Sequence, residues 1–176
     1  NGTSWDNATT DNSTANNLRG VTFGNNTFVG VGLSGSIVRS TDNGLSWDNA
    51  TTDNSTANSL KKVIFGNNTF VSVGNSGNIV RSTDNGSSWD NATTDNSTAN
   101  KLYGVTFGNN TFVAVGDSGN IVRSTDNGSS WDNATTDNST GNRLYSVTYL
   151  SKNCTVAGET LNYSLGKCSG TLTLTS

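Results

Sequence analysis

Apolar residues in this chain fall in short runs, each closed by glycine and asparagine, and the runs return in one fixed order. Leu102 to Phe107 reads as a first strand, and Gly108-Asn109-Asn110 as the turn that ends it. Thr111 to Val115 is a second strand, Gly116-Asp117-Ser118-Gly119 a second turn, and Asn120 to Arg123 a third strand. Asp126-Asn127-Gly128 then turns the chain into a fourth strand around Trp131. No stretch has helical periodicity. The pattern predicts an all-β fold with one antiparallel four-stranded sheet per period.

The period is long and regular. Trp5, Trp47, Trp89 and Trp131 stand 42 residues apart, and most residues between them repeat as well. A period of about 40–45 residues that holds several short strands points to propeller blades rather than a helical solenoid. A single repeat domain is expected over 1–176, with regular blades at 18–59, 60–101 and 102–143. Residues 144–176 form a degenerate fourth blade, and 1–17 hold an orphan fourth strand and a linker.

The turn before each tryptophan reads Ser40-Thr41-Asp42-Asn43-Gly44-Leu45-Ser46-Trp47, and it recurs at Ser82–Trp89 and Ser124–Trp131. Asp42, Asp84 and Asp126 can bond backbone amides across the turn. Gly44, Gly86 and Gly128 supply the positive φ, and Trp47, Trp89 and Trp131 pack on the hairpin. This Ser-x-Asp-x-Gly-x-x-Trp pattern resembles the Asp-box, or BNR, repeat of sialidase-like β-propellers. The words around it, such as Phe112-Val113-Ala114-Val115-Gly116-Asp117-Ser118-Gly119, are similar to propellers related to photosystem assembly factors. The resemblance covers about residues 18–136 and implies a fold, not an activity.

Both ends depart from the pattern. In an ungapped alignment Leu144–Tyr149 matches a first strand, Cys154 replaces Phe112, and Cys168 replaces Asp126. A disulfide between Cys154 and Cys168 is expected to take the place of the turn and cap the last blade. A loop of that size is worth about 3 kcal/mol in the chain-entropy model. At the other end the chain opens inside the motif, at Asn1, without an initiator Met, as a processed chain would. The strand Ser4–Thr10 either adds an edge that closes a four-bladed ring, pairs with another subunit by strand exchange, or follows repeats that lie upstream.

Composition narrows the chemistry. The chain has 28 Asn, 24 Ser and 27 Thr but no His, Met or Pro, and only 13% of its residues are charged. Without histidine there is no Ser-His-Asp triad and no zinc site of the usual kind. Glu159 is the only glutamate, and Arg39, Arg81 and Arg123 repeat symmetrically, as structural residues do. Neither the paired carboxylates of a glycosidase nor a sialidase arginine cluster is present, so no enzyme is expected. The Asp-Asn-Gly groups offer oxygen donors but not calcium-loop spacing, so neither metal nor cofactor is expected. A net charge of −3 with scattered basic residues argues against nucleic acid, and no apolar run is long enough to span a membrane.

Two features remain as candidate function. The first is the acceptor pattern Asn-x-Ser/Thr, with candidate sites at Asn7, Asn12, Asn25, Asn49, Asn54, Asn67, Asn91, Asn96, Asn109, Asn133 and Asn138. Much of this follows from repetition in a chain so rich in Asn, Ser and Thr. The second is variation between near-identical units. Arg19, Lys61, Tyr103 and Tyr145 share one position, and Leu33, Asn75, Asp117 and Glu159 share another. If these fall on one face, they make a variable binding surface. The leading expectation is an extracellular or cell-surface structural protein. It would be a self-associating subunit of a filament or surface assembly that carries covalent glycans. The alternative is a secreted carbohydrate-binding propeller, a lectin or adhesin; a designed consensus propeller would also explain the repetition.

Overall fold

The structure is a computed structural model, and it describes residues 9–10, 16–52, 58–94, 100–134 and 141–150. The expected sheet is present in three copies. Blade one holds β2 (Leu18–Gly24), β3 (Thr27–Gly32), β4 (Ile37–Ser40) and β5 (Ser46–Asn49), preceded in the chain by β1 (Thr9–Thr10). Blade two holds β7 (Leu60–Gly66), β8 (Thr69–Gly74), β9 (Ile79–Ser82) and β10 (Ser88–Asn91), with β6 (Thr51–Thr52) before it. Blade three holds β12 (Leu102–Gly108), β13 (Thr111–Gly116), β14 (Ile121–Ser124) and β15 (Ser130–Asn133), with β11 (Thr93–Thr94) before it.

Each hairpin is written locally. Asn25 and Asn26 sit at φ 46° and 56° between β2 and β3, and Asn67–Asn68 and Asn109–Asn110 repeat this. Positive φ at both central residues gives a turn whose twist matches the strands it joins, and asparagine tolerates it best after glycine. The next loop places Ser34, Ser76 and Ser118 at φ 52°, 56° and 57° in a short 3-10 turn.

The four antiparallel strands are not the whole sheet. Thr9 and Thr10 pair in parallel with Ser46 and Trp47, Thr51 and Thr52 with Ser88 and Trp89, and Thr93 and Thr94 with Ser130 and Trp131. Each blade therefore has a fifth, outermost strand lent by the preceding repeat. Of the strand expected at Ser4–Thr10 only Thr9–Thr10 are described, and they form a separate outer edge on β5; 1–8 lie outside the described residues. The threonines after Asn49 belong to this pattern, as Thr51–Thr52 form the edge of the next blade.

The core lies between blades. Val29, Val31 and Ile37 of blade one pack with Leu60, Val63, Phe70 and Trp89 of blade two. Val71, Val73 and Ile79 of blade two meet Leu102, Val105, Phe112 and Trp131 of blade three in the same way. The innermost strands come so close that a Cβ on Gly24 would stand 2.0 Å from the Phe65 ring. Residues 144–150, read from the sequence as opening a fourth blade, carry no strand pairing among the described residues. Tyr149 nonetheless lies against Gly108 as Phe65 does against Gly24, so the segment covers blade three. On blade one no described residue covers the matching face: Leu18, Val21 and Phe23 are 51%, 62% and 51% exposed, where Leu60 and Val63 are buried.

Candidate ligand-binding rim

The three Ser-x-Asp turns are built as scaffolding. In the first, the Ser40 hydroxyl donates to Asp42 Oδ1 (2.8 Å) and accepts from the Gly44 N–H (2.9 Å). Asp42 also accepts from the Ser46 N–H (2.9 Å), and the Trp47 indole N–H donates to the Gly44 carbonyl (3.1 Å). Asp84, Gly86, Trp89 and Asp126, Gly128, Trp131 repeat the network. Hydrogen bonds from Ser46 hold the Asp42 carboxyl at about 2, and those from Ser130 do the same for Asp126. At Asp84 partial burial pushes upward, but bonds from Ser88 and Ser82 outweigh it and the net shift is down. Arg39, Arg81 and Arg123 lie across from Asp48, Asp90 and Asp132 on the neighbouring strand.

The variable positions share one end of the blades. The pairing of β2 with β3 slips between Leu18 and Gly20, and the same shift occurs at Leu60/Lys62 and Leu102/Gly104. Arg19, Lys61 and Tyr103 are thus the extra residue of a β-bulge in each blade, a device that re-aims a side chain at a sheet edge. The other variable residue opens the loop after the second strand. The N–H groups of Leu33, Asn75 and Asp117 donate to the carbonyls of Asn17, Ser59 and Lys101 (3.0, 2.9 and 2.9 Å). Bulge and loop are therefore tied together, and a third variable position, Asn17, Ser59, Lys101 and Arg143, joins them. The sequence comparison passed over this last position, although its four members differ as much as the other two sets.

Neighbouring blades bring these residues side by side. A Cβ on Gly20 would lie 3.3 Å from the Lys61 carbonyl oxygen, and one on Gly104 would lie 3.2 Å from that of Tyr145. The Tyr103 and Tyr145 ring centres are 5.4 Å apart. The Arg143 guanidinium stands 5.7 Å from the first ring and 5.9 Å from the second. Its Nε donates to Asp117 Oδ1 at 2.5 Å, and its Nη1 reaches the Tyr145 hydroxyl at 3.4 Å. The Tyr145 hydroxyl and the Asp117 carboxylate raise the Arg143 pKa further, so it stays charged. Desolvation raises the Tyr103 phenol, with Arg143 working against it and Asp117 with it. Beside the pair opens a cavity of about 450 Å³ lined by Asn100, Asp117, Ser118, Asn142, Arg143 and Tyr145.

Other candidate residues are placed elsewhere or not described. Asn49, Asn91 and Asn133 are exposed at strand ends. Asn25 donates its side-chain amide to Asn85 of the next blade (2.7 Å), and Asn67 donates to Asn127 (2.5 Å), so these hairpin tips are tied across blades. Asn109 is exposed at the third tip. Asn7, Asn12, Asn54, Asn96, Asn138, Cys154, Glu159 and Cys168 lie outside the described residues.

A family model described as the DUF6242 beta propeller domain matches residues 1–160. Among solved structures, one of YCF48 bound to D1 peptide is similar at a TM-score of 0.60 and 22% identity, over 69% of this chain and 42% of that one. An ancestral GH74 enzyme is similar at 0.58 and 21%, over 72% of this chain and 19% of its own. The computationally designed Ika4 protein matches at 0.63 and 10%, over 84% of this chain and 89% of that one. This chain thus spans about two fifths of the YCF48 chain, and the likeness is one of fold. No curated protein matches the chain.

Proposed function

The chain belongs to the DUF6242 beta propeller domain family, and from that footing we propose that it acts without catalysis, as an extracellular or cell-surface propeller that binds saccharide at the Tyr103–Tyr145 rim. The observation that carries this reading is the tyrosine pair with Arg143 fixed beside it by Asp117. A pyranose presents one apolar C–H face and a girdle of hydroxyls. Tyrosine rings suit the face, while Asn100, Asn142, Asp117 and Arg143 offer donors and acceptors to the girdle. The geometry is held before any ligand arrives, because the Asp117 N–H is bonded to Lys101 and its carboxylate to Arg143. The solved YCF48 propeller carries a D1 peptide, so a peptide is the competing ligand class. The cavity walls here are mainly polar, which favours a hydroxylated ligand over an apolar side chain.

A glycan array, followed by calorimetry on the ligands it selects, tests this. Tyr145→Ala is expected to weaken binding about tenfold, the worth of one aromatic contact, with an unchanged unfolding midpoint. An array without binders, or a variant that binds as the parent does, overturns the reading.

A structural role has its own supporting observation. The open face of blade one, with Leu18, Val21 and Phe23 exposed, is the same face that blades two and three bury. A glycosylated filament or surface subunit would cover that face in the assembly. Thr9–Thr10 already pair with Ser46–Trp47, so strand exchange would make this same pairing between copies. Sedimentation tests it: concentration-dependent association that Phe23→Ser abolishes supports the filament, and a monomer at all concentrations overturns it.

A further inference from the structure

The rim has two electrostatic halves. At the Tyr145 end Arg143 is neutralised by Asp117, the one ion pair among the described residues. Toward blade one the bulges present Arg19 and Lys61, and the loop anchor adds Lys101. Arg19 and Lys101 are exposed, and Lys61 is half-buried between the blades. Desolvation, and then the charges of Arg19 and Lys101, press the Lys61 ammonium toward its neutral form. Among the described residues no carboxylate contributes there. The chain as a whole carries a net charge of −3, so this half of the rim runs against the sign of the molecule.

Like charges set side by side on packed strands destabilise a fold unless something of opposite charge sits with them. All three occupy positions where the repeat elsewhere carries an uncharged residue: Tyr103 stands at the position of Arg19 and Lys61, and Ser59 at that of Lys101. The repeat therefore does not need cations there to fold. We infer that the occupant of this rim is an anionic saccharide, a uronate-bearing polymer. One sugar ring rests on Tyr103 and Tyr145, and its carboxylates run toward Lys101, Lys61 and Arg19. This rests on the saccharide reading of the same rim and adds the charge of the ligand and the direction in which it lies.

The test uses the full chain with polygalacturonate and with its carboxyl-reduced, neutral product, each titrated at low and high salt. The acidic polymer is expected to bind at least tenfold more tightly at low salt, with the gap narrowing as salt screens it. Arg19→Gln with Lys61→Gln is expected to cost the acidic polymer about tenfold, the loss of charged hydrogen bonds, and to leave the neutral one unchanged. Equal binding of both polymers by the parent overturns the anionic assignment and leaves the saccharide reading standing. Polygalacturonate binding that the double variant does not change also overturns it. Binding of neither polymer overturns the saccharide reading and this inference with it. Polyglutamate bound as tightly as polygalacturonate replaces the sugar with an acidic peptide.

Discussion

The Phe107 ring occupies the space a side chain on Gly66 would need: a Cβ there would stand 2.2 Å from Cγ of the ring. Gly66 belongs to blade two and Phe107 to blade three, so the contact sets how closely the two sheets approach. Overfilling a packed site costs about 1–3 kcal/mol, and Gly66→Ala is expected at the upper end, because Phe107 is itself held against Phe112 at 4.6 Å. Urea unfolding measures it, and a loss below about 0.5 kcal/mol would show that the ring has room to move.

Leu18 and Leu60 are the same residue in successive repeats, one half exposed and the other fully buried. Leu60→Ala is expected to cost about 2–5 kcal/mol and Leu18→Ala under about 1 kcal/mol. Denaturation of the two variants checks this. Equal costs would mean that something covers blade one in solution.

Acid should loosen the turns. Asp42 and Asp126 sit at about 2 against an ordinary 3.8, and Asp84 moves the same way. A carboxyl held low in the folded chain contributes stability above its unfolded value and loses it as pH falls through the folded one. The unfolding midpoint is therefore expected to hold above about pH 5 and to fall steadily toward pH 2. Asp126→Asn should lower stability at neutral pH and flatten that slope. A profile as steep as the parent's would sever the turn from the acid response.

Glycosylation should be selective by blade position. The side-chain amides of Asn25 and Asn67 are engaged with Asn85 and Asn127, whereas Asn49, Asn91 and Asn133 stand exposed at strand ends. Expressed in a glycosylating host, the chain is expected to carry sugar at the second group and little at the first. Site-by-site mass spectrometry decides it. Full occupancy at Asn67 would mean that the sugar is attached before the blades close.

What the sequence made legible followed from repetition. Four strands per period, the Asn-Asn hairpins and the Trp-anchored turns each rest on a local signal seen three times, so chance patterns drop out. The parallel pair Thr51–Thr52 was not legible, because two polar residues carry no alternation and their partner lies in the next repeat. The bulge was hidden for a related reason. Leu102-Tyr103-Gly104 reads as an ordinary strand start, and only its register against Gly116 and Val115 shows that Tyr103 is the extra residue. Comparison of the units brings out Tyr103 and Tyr145 but not Lys101 and Arg143, which close one unit just before the next strand begins.

The borrowed outer strand also bears on how such a chain can change its length. Each blade's edge is finished by two threonines that precede its own four strands, so a unit cut at Thr51 holds the whole sheet from β6 to β10, whereas one cut at Leu60 parts the edge from its blade. Yet every junction is the same junction. Unequal crossover between any two repeats of the gene, at any offset, would leave each surviving blade with a correctly fitted edge. The sameness of the junctions makes the units interchangeable as DNA.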